Sequence, residues 1–65
     1  MEVSLDQAIE IHAKVLKRVH GRKAPQKARK TADELAIVGD QDGCRVWLKV
    51  AESAAAMLSQ DHAQA

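Results

Sequence analysis

Gly21, Pro25 and Gly39 divide this 65-residue chain into three stretches, each with the pattern of an amphipathic helix. The two glycines stand where helices commonly end, because glycine adopts the left-handed conformation of the first residue after a helix without steric cost. Pro25 suits the first turn of a helix, where its missing N–H would have had no partner. No strand pattern competes with these signals, so the chain is predicted to be all-α.

The first helix is predicted to span about residues 5–20. Ser4 and Gln7 have the S-x-x-Q spacing of a capping box, in which two side chains satisfy backbone donors that a helix start leaves free. Apolar side chains then recur at steps of three and four residues, which is typical of a face that packs against a core. That predicted face consists of Leu5, Ala8, Ile9, His12, Leu16 and Val19.

The second helix is predicted over about residues 25–38 and the third over about 41–60, with residues 61–65 as a frayed tail. Asp40 follows Gly39 as an N-cap of the third helix. The predicted core face of the second helix comprises Ala28, Thr31, Ala32, Leu35 and Val38. That of the third comprises Cys44, Trp47, Leu48, Ala51, Ala54, Ala55 and Leu58. Since the connections are short, the helices should be antiparallel neighbours in one compact three-helix domain over residues 1–65.

The composition limits how stable such a domain can be. Trp47 is the only aromatic residue, so alanine and aliphatic side chains must form the core. In so small a chain a core of this kind supplies no more than roughly 3–5 kcal/mol, which favours association with a second copy. Cys44, the single cysteine, excludes an intramolecular disulfide and fits a reducing compartment. No apolar run is long enough for a membrane helix and the N-terminus lacks a signal-peptide pattern, which together predict a cytoplasmic protein without a membrane partner.

The third helix carries more apolar side chains than its predicted core face can use. Val46, Val50 and Met57 lie roughly 100° round the helix from that face. Ile37 likewise points away from the predicted face of the second helix. Scattered exposed aliphatic side chains are normal, whereas a contiguous patch marks a homodimer or partner interface. We favour an interface that includes all four of these residues.

Positive charge is concentrated in the middle of the chain. Positions 14–30 hold eight of the ten Lys and Arg residues, and no acid occurs from position 11 to 32. Lys17 and Arg18 complement the negative end of the first helix, but Lys23 and Lys27 stand at a positive helix start. With the free backbone donors of that turn they would suit a phosphate or carboxylate. The residues predicted to bind an anionic partner are Arg22, Lys23, Lys27, Arg29 and Lys30; a solvated surface is the alternative.

A basic surface of this kind fits either an acidic protein or nucleic acid. Single-strand binding usually employs aromatic side chains on which bases stack, and none accompanies the basic residues. Contact with the phosphates of a duplex stays open, with strong salt dependence and little sequence preference. The leading hypothesis is a small regulatory or adaptor module that binds a protein partner or itself, and the alternative is a nucleic-acid-associated protein.

No residue pattern indicates catalysis, a cofactor or a metal. Three short helices rarely enclose the concave pocket that an active site needs, so the chain is predicted not to be an enzyme. Zinc sites have paired ligands at short spacing, which His12, His20 and Cys44 do not form. We expect His12 to be buried or half-buried on the first helix and Cys44 to be a small core residue.

One segment resembles known helical proteins. Gly39-Asp40-Gln41-Asp42-Gly43-Cys44, followed by Trp47 and Ala51, is similar to the inter-helix corner of a tetratricopeptide-type hairpin over about residues 35–52. The same residues resemble a segment, Gly-Asp-x-x-Gly-x-x-x-Trp, of small bacterial helical proteins. A tetratricopeptide array needs stacked repeats, and this chain has room for barely one. Both resemblances imply a helical hairpin and no particular chemistry.

Overall fold

The structure, a computed structural model, describes the backbone of residues 4–63 and the side chains of residues 4–60. Its α-helices are α1 (Leu5–His20), α2 (Ala24–Ile37) and α3 (Gln41–Ala63), with a 3₁₀ turn at Gly21–Lys23. Within the described range the chain forms helices and turns and no strand, which confirms the all-α class. The bounds of α1 and α2 match the prediction within one residue. The third helix ends at Ala63, three residues later than expected. Fraying of residues 61–65 stays a prediction. Residues 64 and 65 lie outside the part of the chain that the structure describes.

The expectation of three separate helices is confirmed only in part, because α1 and α2 are joined by helical backbone. The 3₁₀ turn makes the winding continuous from Leu5 to Ile37. Gly21 turns the chain at φ 60° and ψ −128°, and its N–H donates to the Lys17 carbonyl. The Ala24 N–H in turn donates to the Gly21 carbonyl. The chain therefore has two continuous helical stretches, the first of which changes direction at Gly21.

The corner between α2 and α3 breaks the helical backbone completely. Gly39 has φ 86°, the left-handed conformation predicted for the residue that ends a helix. The Asp40 N–H donates to the Leu35 carbonyl at 2.8 Å, and the Asp40 Oδ1 accepts the Gly43 N–H at 2.9 Å. Asp40 therefore caps α3 as predicted, and its backbone N–H in addition closes α2.

The start of α1 has the predicted capping box. The Gln7 N–H donates to the Ser4 hydroxyl at 3.1 Å, and the Ser4 N–H donates to Gln7 Oε1 at 3.1 Å. Asp6 in the first turn and Lys17 and Arg18 in the last complement the helix dipole. Local interactions therefore fix where α1 begins and ends.

The core is a seam of small side chains in which α3 packs against both α1 and α2. Leu5 lies near Val46, and Lys17 lies near Met57, so α1 and α3 run in the same direction. The buried apolar residues are Ile9, Ala13, Ala24, Ala28, Ala32, Val50, Ala51 and Ala54. Around them pack the partly buried Leu16, Val46, Trp47 and Met57. Six of the eight buried residues are alanines, so the helices approach closely but bury few large side chains.

Burial of α3 corrects the prediction for its apolar sides. Val50 has an exposed fraction of 0% and is the largest side chain that is fully buried among those described. It therefore cannot lie on an exposed interface of the folded chain, and that prediction is wrong. Val46 and Met57 also pack against the core, whereas Leu48, placed in the core by the sequence, is 44% exposed. The buried face of α3 is therefore rotated from the predicted one towards Val50. This single broad face packs against both α1 and α2.

Burial of α1 differs from the prediction in the same way. Ala13 is fully buried between Ile9 and Leu16, whereas Leu5 and Val19, both predicted to face the core, are 58% and 67% exposed. His12 is exposed rather than buried, with its ring centroid 5.9 Å from that of Trp47. The alanine at position 13 selects this face because it lets α1 lie closer to α3 than a larger side chain would.

Candidate interaction surfaces

The five residues predicted to bind an anionic partner are exposed, but they do not form one surface. Lys23 is the last residue of the 3₁₀ turn, and Lys27 and Lys30 of α2 follow it by four and seven residues. The three side chains therefore lie along one side of the turn and α2, which we call the lysine face. Arg29 lies roughly 160° round the helix from Lys27. Arg22 belongs to the 3₁₀ turn beside the lysine face. The structure therefore brings together three lysines of the predicted site and separates Arg29 from them.

The lysine face is electrostatically unbalanced. Among the described residues, no ion pair within 4.0 Å joins Lys23, Lys27 or Lys30 to a carboxylate; Lys14 and Glu10 are the pair that is found, at 3.9 Å. Glu34 follows Lys30 by four residues and closes the face at its C-terminal end. The positive potential of the face is therefore strongest over the first two turns of α2, where the helix dipole adds to it.

The start of α2 offers fewer free backbone donors than the sequence suggested. The Ala24 N–H already donates to the Gly21 carbonyl across the 3₁₀ turn, and Pro25 has no N–H. No side chain caps this helix start, because Lys23 precedes it in a helical conformation. Ala24 and Pro25 therefore supply no free N–H to an anion at this end, and its binding by the lysine side chains stays a prediction.

The basic residues of α1 border a different feature, an open groove between α1 and the C-terminal half of α3. Its lining includes Glu10, Lys14, Lys17, Arg18, Met57 and Gln60. The Glu10 carboxylate pairs with Lys14 inside this lining, so part of its positive charge is balanced. The groove is shallow, wide and mixed in character, and it does not isolate a ligand from water.

A line of exposed apolar side chains lies on α1, outside the four residues predicted to form an interface. Ile11 and Val15 are each 54% exposed and Val19 is 67% exposed. Their spacing of four residues places them along one line of the helix, which we call the α1 stripe. The exposure of this stripe could have been predicted from the spacing of Ile9, Ala13 and Leu16, which defines a second possible core face of α1. Burying that face leaves the α1 stripe in solvent.

The interface predicted on the other helices survives only at Ile37. This side chain is 83% exposed on the side of α2 opposite the core, beside the 75% exposed Val38. Its exposure agrees with the prediction, and its role in an interface stays a prediction. Val46 and Met57 are half-buried against the core and Val50 is within it, so the four residues do not form one exposed surface.

The side chains considered for metal or redox chemistry lie apart. Cys44 is half-buried in the first turn of α3, and His12 lies against Trp47. In the described part of the chain, no three His, Cys, Asp or Glu side chains are grouped to hold a metal ion. None of the helices over residues 4–63 combines the length and apolar character needed to span a bilayer.

Comparison with protein-family models, curated proteins and solved structures gives no significant match to this chain. Two exposed surfaces, the lysine face and the α1 stripe, are the features of this chain that suit binding to a partner.

Proposed function

We propose that this chain is a small, non-enzymatic regulatory or adaptor module of the cytoplasm that binds an acidic protein partner. The observation that carries the proposal is the lysine face, where Lys23 of the 3₁₀ turn and Lys27 and Lys30 of α2 are exposed without a carboxylate partner among the described residues. Like charges at these spacings repel one another, which destabilises the isolated helix slightly. An acidic partner removes that repulsion and gains the attraction of the helix start.

A protein partner is favoured over nucleic acid by the side chains that surround the lysine face. Trp47, the one aromatic ring able to stack on bases, is half-buried on α3 against His12 and does not lie on α2. Ile37 extends the exposed surface of α2 with an apolar side chain, which suits a protein interface with an apolar centre and a charged rim. A nucleic-acid-associated role, with the lysines on backbone phosphates, is the alternative.

The test compares two charge reversals on opposite sides of α2. Binding to immobilised polyglutamate and to duplex DNA is measured at increasing salt for the parent chain, Lys27→Glu and Arg29→Glu. Lys27→Glu should weaken polyglutamate binding by at least about tenfold, because it removes the central charge of the lysine face. Arg29→Glu changes the net charge equally but lies on the other side of the helix, so its effect should be small.

Three results would contradict the proposal. Equal losses for the two variants would mean that net charge and not the lysine face is responsible. Binding that does not fall with salt would exclude an electrostatic contact. Tighter binding to duplex DNA than to polyglutamate, with a steeper salt dependence, would favour the nucleic-acid alternative.

A further inference from the structure

We infer that the α1 stripe, together with the basic residues on one of its flanks, is a docking surface for an acidic amphipathic helix of another protein. The apolar side chains of this partner cover the α1 stripe, and two of its carboxylates, one helical turn apart, pair with Lys14 and Arg18. The inference goes beyond the proposed function, because it assigns a second surface whose binding does not depend on the lysine face.

The α1 stripe is a row of aliphatic side chains that the core of this chain does not use. Its three side chains are more than half exposed, whereas Ile9 and Ala13 bury the opposite side of the same helix. Steps of four residues place the three on one ridge, which runs about 12 Å along the helix axis from Ile11 to Val19. A partner that covers this ridge with its own apolar side chains removes both from water, which is favourable.

The charges around the α1 stripe define the chemistry of the partner. At about 100° per residue, Arg18 lies roughly 60° and Lys14 roughly 100° from Val15, and both are on the same flank of the stripe. Asp6 and Glu10, the two acids of α1, lie on the far side of the helix, roughly 140–180° from Val15. The stripe therefore has a basic flank and no carboxylate of α1 beside it, so a partner with acidic side chains is complementary to it.

Both basic side chains of this flank are accessible to a partner. Arg18 is exposed and has no carboxylate within 4.0 Å among the described residues. Lys14 pairs with Glu10 at 3.9 Å, but the two side chains are 67% and 57% exposed. Exposed ion pairs of this kind are weak, so replacing Glu10 by a partner's carboxylate costs little. Arg18 is the stronger contact of the two, because a guanidinium can hold a carboxylate through two parallel hydrogen bonds.

The shape of this surface fits a helix. A shallow groove separates the apolar row from the basic row, and its lining consists of Ile11, Lys14, Val15 and Arg18. Grooves between rows of this spacing accept the side-chain ridge of another helix, with the two axes about 20° apart in packing of the coiled-coil type. At that angle, partner carboxylates at i and i+4 are about 6 Å apart along the axis, which is the spacing of Lys14 and Arg18. An extended strand fits less well, because a helix surface offers it no free backbone groups.

The one-sided charge favours this partner over a lipid surface or a second copy. Helices that lie on membranes carry large apolar side chains such as Trp, Phe and Leu on the lipid side, whereas the α1 stripe consists of Ile and Val. Its second flank is not basic, because it carries His12, whose ring centroid lies 5.9 Å from that of Trp47 on α3. A second copy has no α1 carboxylate beside its own stripe with which to pair Lys14 and Arg18.

The experiment measures how a fluorescent synthetic helix of about 20 residues binds to the whole chain, by fluorescence anisotropy. The acidic peptide has leucines at steps of three and four residues and two glutamates one turn apart along one edge of that face; a second peptide has lysines in place of the glutamates. Arg18→Glu should weaken binding of the acidic peptide at least about tenfold and tighten binding of the lysine peptide, because it reverses the charge that the partner meets. Arg29→Glu, the matched control on α2, should leave both affinities unchanged.

A second variant tests the apolar contact without changing the charge. Val15→Ser should weaken binding of the acidic peptide about fivefold or more, because it removes aliphatic surface at the centre of the α1 stripe. Ile37→Ser makes the same kind of change at an exposed position of α2 and should have no effect. Circular dichroism of each variant confirms that the helices are retained.

No binding of the acidic peptide, or equal losses in either matched pair of variants, would overturn the inference. Vesicles of anionic phospholipid and sedimentation of the chain alone test the other occupants. Vesicle binding or self-association that Val15→Ser abolishes would assign the α1 stripe to lipid or to a second copy, and either result would overturn the inference. Failure of the proposed function is distinguishable, because Lys27→Glu should lose polyglutamate and keep the acidic peptide, whereas Arg18→Glu should do the reverse.

Discussion

Gly43 shows how closely the start of α3 is packed around its capping residue. A Cβ atom at this position would lie 2.6 Å from Asp40 Oδ2 and 3.1 Å from Leu35 Cδ1, both too near for ordinary contact. The Asp40 carboxylate lies there because its other oxygen accepts the Gly43 N–H. Glycine in a helix is normally unfavourable, so here the cap and the α2–α3 corner require it.

A double-mutant cycle tests this interpretation. Gly43→Ala should fail to stabilise the chain, because the gain in helix propensity of about 1 kcal/mol is offset by loss of the Asp40 cap, also about 1 kcal/mol. In an Asp40→Ala background the cap is already absent, so the same substitution should raise the free energy of unfolding by about 1 kcal/mol. Urea unfolding of the four chains measures both values; equal effects of Gly43→Ala in the two backgrounds would contradict the coupling.

The helix ends were predictable from the sequence because their interactions are local. Ser4 bonds to a residue three positions away, and Asp40 does the same, so the relevant partners are visible in the printed chain. Gly39 was identified by the same reasoning. The 3₁₀ turn at Gly21–Lys23 was not predicted, because no residue pattern specifies its backbone angles. Those angles let the Ala24 N–H donate to the Gly21 carbonyl at the start of α2.

At the scale of the helices, the buried faces were harder to predict than the helices themselves. Helix α1 has apolar residues on more than half of its circumference, and α3 does too, so several faces satisfy the same spacing rule. The close approach of helices at Ala13, Ala28 and Ala54 decides among them. Small residues carry little hydrophobic signal in a sequence, and their importance becomes clear only when the helices are in contact.

The corrected face of α3 predicts opposite outcomes for two valine-to-alanine substitutions. Val50→Ala should lower the free energy of unfolding by about 2 kcal/mol, because it leaves a cavity in a fully packed position. Val38→Ala, at a position that is 75% exposed, should change it by less than about 0.5 kcal/mol. Chemical denaturation of the two variants provides the comparison. Similar losses at the two positions would show that the face assignment of α3 is wrong.

At the scale of the whole molecule, stability and association should be linked. The fold leaves Ile11, Val15 and Val19 exposed and buries mainly alanine, so the isolated chain has little reserve against unfolding. The exposed lysine face and the exposed α1 stripe lie on different elements of the fold.

Thermal unfolding at several protein concentrations tests this link. If the folded chain is dimeric, each tenfold rise in concentration should raise the unfolding midpoint by about 3–6 °C, because dilution favours the unfolded chains. A parent chain whose midpoint is independent of concentration would mean that folding is complete within one copy.

The alanine seam also has a consequence for entropy. A buried leucine or methionine loses the freedom of its rotatable side-chain bonds, which costs up to about 1–2 kcal/mol per residue, whereas alanine has no such freedom to lose. Six of the eight buried apolar residues are alanines. Their burial therefore adds no side-chain ordering cost to the backbone ordering that every folded chain requires. A seam of this kind contributes little hydrophobic free energy, yet it forms with less opposing entropy than a core of the same number of large side chains.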